Sequence, residues 1–135
     1  QGKVGSPGPV GPPGSTQSLL VNFVAGETLF SNQLVTLNGS GAVIKTTTNS
    51  SKVVIGFVVN GIATGDTGSI IVAGKATGIA DGGITLGDFV ASSAGVAGRV
   101  RSTGTTGTVG DIGLALQTVV DGQQLAILIK SVELV

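Results

Sequence analysis

The sequence predicts an all-β body, a small barrel or sandwich built from two similar units of roughly 55 residues. A collagen-like triple-helical stem precedes it, and the protein is therefore expected to be trimeric. Three observations carry this expectation. Glycine falls on every third position from Gly2 to Gly14. Beyond the stem, short apolar runs recur about every ten residues, each bounded by Gly, Asn, Asp or Ser. The apolar pattern of the first half of the body then recurs in the second half.

The stem comes first along the chain. Residues 2–14 read as four Gly-X-Y triplets and a fifth glycine: Gly2, Gly5, Gly8, Gly11 and Gly14, with Pro7, Pro9, Pro12 and Pro13 confined to the X and Y slots. Three polyproline-II chains wind together only when the residue at the crowded axis has no side chain, which imposes this period. At about 3 Å per residue the stretch spans roughly 40 Å. Four triplets are too few to hold three chains together, so the body is expected to supply the trimer contacts. The division that follows is a stem and polar hinge over 1–18 and a trimeric body over 19–135. The chain does not begin with Met, and is expected to be a processed product or a piece of something longer.

The body is expected to start packing at Leu19-Leu20-Val21-Asn22-Phe23-Val24. Candidate strands are 19–24, 33–37, 42–46, 53–59, 68–73, 87–91, 97–102, 111–117 and 124–130. Asn38-Gly39, Asn60-Gly61, Asp81-Gly82 and Asp121-Gly122 mark turns, being dipeptides that tolerate positive φ. Only Leu114 to Val120 reads even faintly as a helical turn, and its β-branched residues favour a strand. With 24 glycines and 3% aromatics, the core must come from Val, Ile, Leu and Ala. Such a core is weak alone, and association is the natural remedy.

The repeat is read residue by residue. Ile55-Gly56-Phe57-Val58-Val59, Gly65 and Ile70-Ile71-Val72 are matched 57 positions on by Ile112-Gly113-Leu114-Ala115-Leu116, Gly122 and Ile127-Leu128-Ile129. Leu29 with Leu34-Val35 is echoed 55 positions on by Ile84 with Phe89-Val90. Two copies, about 26–80 and 82–132, suit one small barrel or sandwich with pseudo-twofold symmetry.

The segments Gly26-Glu27-Thr28-Leu29 to Leu37, Ile55-Gly56 to Gly65, Gly82-Gly83 to Val90, and Ile112-Gly113-Leu114-Ala115-Leu116 together resemble the small β-rich decoration and head-fibre domains of bacteriophages. The resemblance covers about residues 26–130. It implies a trimer on the capsid exterior, with the phage major capsid protein as partner and no catalytic residues.

Chemistry-bearing residues are few. There is no His, Cys, Trp, Tyr or Met, so disulfides and thiolate or imidazole metal sites are excluded. Seven basic and seven acidic residues balance, and the basic ones are scattered, which argues against nucleic acid as a partner. Only Arg99 and Arg101 lie close together, and they read as a solvated face. Apolar runs of about five residues are far short of a membrane-spanning helix. Asp66, Asp81, Asp88, Asp111 and Asp121 all adjoin glycine and read as turn residues. Asp81, Asp88 and Asp111 are the candidates for a calcium site, without the spacing of a known calcium loop. Gly68 to Lys75 approximates a phosphate loop but has five residues between Gly68 and Gly74, and Ala76 where Ser or Thr is required. Phe23, Phe57 and Phe89 are expected in the core; Phe30 sits near a turn.

These readings converge on a non-enzymatic structural virion protein without cofactor, decorating the outside of a phage capsid and stabilising it or presenting a surface. Two alternatives stay open. One is an adhesive fibre or receptor-binding knob directed at a host-surface glycan or receptor; the other is a bacterial surface collagen-like protein.

Overall fold

A computed structural model describes residues 18–48, 54–107 and 110–129. The stem residues Gly2 to Gly14, prolines included, lie outside it. Nine strands follow one another: β1 (Ser18–Val24), β2 (Leu34–Leu37), β3 (Val43–Lys45), β4 (Val54–Val58), β5 (Thr67–Ile79), β6 (Phe89–Ser92), β7 (Val100–Gly104), β8 (Asp111–Ala115) and β9 (Gln124–Ile129). No helix occurs among the described residues. The all-β expectation holds, and each candidate strand has its counterpart. Ser18, assigned to the hinge from sequence, is already part of β1 and pairs with Gly74.

All strands belong to one sheet in the order β3-β2-β4-β5-β9-β8-β6-β7, with β1 added against β5. Every ladder is antiparallel. Neither a closed barrel nor a two-sheet sandwich results. The sheet curls into a half-barrel, and its outer ends are joined by loops rather than by a ladder. Leu34 N donates to Gly98 O at 2.8 Å, Gly98 N to Thr46 O at 2.9 Å, and Ser92 Oγ to Thr48 O at 2.6 Å. These bonds run from the loop and strand flanking β7 to the β2–β3 edge, so both ends of the sheet are satisfied without closure.

The strand order reads the same from either end, because the second set of strands repeats the first. β2 pairs β4 through Leu34↔Phe57, Val35↔Gly56 and Thr36↔Val54, with a bulge after Val35. β6 pairs β8 through Phe89↔Leu114, Val90↔Gly113 and Ala91↔Asp111, with a bulge after Val90. The bridges Leu29↔Ile62 and Ala25↔Val43 recur as Ile84↔Val119 and Ala80↔Val100. The correspondence also reaches upstream. β1 pairs the first half of β5 (Val24↔Thr67), as the second half of β5 pairs β9 (Ile79↔Gln124). The change of offset from 55 to 57 falls in one connection: residues 38–42 join β2 to β3, whereas 93–99 join β6 to β7. The two extra residues lie in the loop that carries Gly98 across to Leu34 and Thr46.

Backbone conformation repeats too. Gly65 and Gly122 both have positive φ at matched turns, as do Gly41 and Gly98. At a third matched pair, Asn32 (φ 70°) stands where the second unit has Gly87 (φ 91°). Asn is among the few side chains that tolerate this region. In the β2–β3 connection the positive φ sits on Gly41 rather than Gly39. Asn38 organises that turn, its Oδ1 accepting from Ser40 N (2.9 Å) and Ala42 N (3.1 Å).

Two apolar clusters form the core. The smaller holds Ala25, Leu29, Val35, Val43, Val58, Ile62 and Ile70. The larger contains the matched set Ala80, Ile84, Val90, Val100, Ala115 and Ile127, and adds Leu34, Phe57, Ala76, Ile112 and Leu125. Leu34 and Val35 are both fully buried yet belong to different clusters. Successive strand residues point to opposite faces, so β2 is covered on both sides.

Candidate interaction surface

The polar side chains are largely engaged in holding turns and strand ends. Glu27 Oε2 accepts from Lys45 N at 2.8 Å, and Asp121 Oδ1 from Gly82 N at 2.8 Å. The three aspartates considered for calcium each serve a separate structural bond. Asp81 accepts from Ser93 Oγ; Asp88 Oδ2 from Thr85 N (3.0 Å) and Ser102 Oγ (2.7 Å); Asp111 Oδ1 from Thr103 Oγ1 (2.6 Å). Among the described residues no three acidic groups come together as a metal site would require. Arg99 reaches Asp121 at 3.8 Å and the Ala80 carbonyl at 3.5 Å. At these exposures such a pair contributes well under about 1 kcal/mol.

The phenylalanines divide as their surroundings dictate. Phe57 is fully buried in the larger cluster, and Phe23 is half-buried against the smaller one. Phe89 is half-buried. Phe30 is 63% exposed at the tip of the turn before β2. An apolar cleft of about 250 Å³, lined by Val54, Phe57, Val72, Ile112 and Ile129 among others, offers no charged side chain for recognition or catalysis.

What remains is an apolar surface. β1 was expected to open the packed part of the body, but four of its seven residues are exposed hydrophobics: Leu19, Leu20, Val21 and Val24. Leu20 and Val21, consecutive in the regular part of the ladder and so on opposite faces, are 49% and 39% exposed. Among the described residues the strand pairs with β5 alone, through seven pairs from Ser18↔Gly74 to Val24↔Thr67, with Ser69 Oγ donating to Asn22 Oδ1 at 3.0 Å. Neither β1 nor residues 67–74 of β5 carries a charge. A cleft of about 420 Å³ opens beside Leu20, lined also by Asn60, Thr67, Ser69 and the acidic Asp66. The sequence held a signal for this. Leu-Leu-Val-Asn-Phe-Val does not alternate apolar with polar as a half-solvated strand does, and that pattern belongs to a strand covered on both faces. Among the described residues, neither face is fully covered.

No protein-family model matches the chain, and no curated protein does. Among solved structures, it is similar to the N base of head fibre gp8.5 of bacteriophage phi29, at 18% sequence identity and a TM-score of 0.64. The likeness covers 84% of this chain and 95% of that one. The curled, all-β architecture of this protein is thus the fold found in the base of a phage head fibre.

Proposed function

We propose that this chain is a structural virion protein: a trimeric base or decoration protein on the outside of a phage capsid, without enzymatic activity. The observation that carries the reading is the likeness of fold to the phi29 head-fibre N base over nearly all of that chain. The Gly-X-Y run at residues 2–14 supports the trimer, since that period serves a three-chain helix. The described polar groups are consistent with a scaffold, the carboxylates of Glu27, Asp81, Asp88, Asp111 and Asp121 each being tied to a turn or strand end. A threefold body suits a threefold or quasi-threefold position on a shell. If it binds only assembled capsomers, it stabilises the shell by mass action.

The test is co-sedimentation of the purified chain with empty shells of the major capsid protein encoded by the same genome. Saturable pelleting at a stoichiometry divisible by three is the expected result. Retention in the supernatant at micromolar concentration, or binding to host cells instead of shells, overturns the capsid assignment.

A further inference from the structure

We infer that β1 is the trimer contact: Leu19, Leu20, Val21 and Val24 pack against the β1 and β5 strands of two further copies around the threefold axis. The inference rests on the trimer reading above and adds the surface that makes the trimer.

The first ground is the surface. Natural sheets guard an exposed edge strand with charge, proline or a covering element. β1 carries neither charge nor proline, and although its ladder with β5 shifts register between Leu19 and Leu20, it is the longest exposed apolar stretch among the described residues. The remaining exposed hydrophobics are scattered: Phe30, Leu86, Val96 and Val120 lie in turns and loops, and Leu37 and Leu128 on β2 and β9, where isolated residues of this kind are ordinary.

The second ground is the covalent connection. Gly14, the last glycine in phase, precedes Ser18 by four residues. Four extended residues reach at most about 14 Å. If residues 2–14 wind as the proposed triple helix, three chains share one axis and three copies of Ser18 fall within about 14 Å of it. β1 is then the first element of each body to arrive at the axis, and its uncharged faces are those turned toward the neighbours. The cleft beside Leu20, between β1 and the β4–β5 connection, is placed to receive a neighbour's side chain.

The experiment uses the full chain and reads its mass in solution by light scattering and native mass spectrometry. The parent is expected as a trimer of 13.1 kDa chains. Leu20→Asp combined with Val24→Asp places charge in the contact and is expected to weaken association at least about a hundredfold, giving single chains that keep their β circular dichroism. Phe30→Asp, at a more exposed position off β1, is expected to stay trimeric. Because the chain has no cysteine, Val21→Cys provides an independent reading. Oxidation or a short bismaleimide is expected to link two chains through Cys at 21, while Phe30→Cys gives no linked species. The cross-link decides if the double aspartate variant fails to fold. A trimeric parent with no link from position 21 overturns the assignment of β1 and leaves the trimer standing. A monomeric parent overturns both.

Discussion

Replacing Gly113 by Ala tests whether the paired Ile-Gly steps of the two units are steric requirements. Gly113 lies in β8 between β6 and β9, pairing Val90 on one side and Ile129 on the other. Its φ is not positive, so alanine carries no backbone penalty there. The obstacle is space. A Cβ at 113 meets the Leu128 carbonyl oxygen at 2.5 Å and Ile127 Cγ2 at 2.8 Å. Carbon and carbonyl oxygen meet comfortably between strands at about 3.3 Å, so the two strands must part by roughly 0.8 Å. Ile127 is fully buried and has nowhere to swing. Overpacking of this kind costs about 1–3 kcal/mol. One weakened ladder bond adds about 1 kcal/mol. A loss of about 3 kcal/mol lowers the melting midpoint by roughly 10 °C. The assay is thermal unfolding by circular dichroism at one fixed protein concentration, because the proposed trimer would make the midpoint concentration-dependent. Gly39→Ala is the control, with no atom within 4 Å and no positive φ; it should stay within about 0.5 kcal/mol of the parent or gain slightly. A Gly113→Ala midpoint no lower than that of Gly39→Ala would refute the close-approach reasoning. Gly56, the counterpart in β4, stands even closer to the Ile71 carbonyl and should behave alike.

The matched turns at Asn32 and Gly87 yield another prediction. Asn32→Gly should be within a few tenths of a kcal/mol of the parent, while Asn32→Val should lose about 1–2 kcal/mol by urea unfolding, because a β-branched residue resists positive φ. Equal stability of the two variants would remove the case for strain at that turn. In the stem, Gly8→Ala should abolish a low-temperature triple-helix transition in circular dichroism while leaving the main unfolding of the body unchanged. A parent lacking that transition would demote residues 2–14 to a linker.

The strands were legible because each is a short apolar run closed off by Gly, Asn or Asp, a signal that is local. Val54–Val58 and Asp111–Ala115 fall inside the candidate ranges 53–59 and 111–117. β5 was not fully legible. The candidate ended at residue 73, since Gly74, Lys75 and Gly78 look like a break, but the strand runs on to Ile79. What holds residues 74–79 extended is pairing with β9, some fifty residues away, and Gly78 is required there because Ile127 and Phe57 crowd its face. Likewise β7 begins at Val100 rather than 97, because Gly98 is drawn across to Leu34 and Thr46. Closure as a half-barrel rather than a barrel or sandwich depends on those same distant bonds. The exposure of β1 was legible only in part: its unbroken apolar run signals a strand covered on both faces, but such a run reads the same whether the cover comes from the same chain or from another.

The thirteen residues of β5 belong to both units at once. Residues 67–74 complete the first with β1 and β4, and residues 74–79 start the second against β9. Neither half therefore has a boundary at which the chain can be cut without opening a ladder in the other. Fraying of β9 would strip the far end of the strand on which β1 rests, and melting of β1 would loosen the strand that anchors β9. The two similar sets of strands are therefore expected to open and close as one cooperative unit.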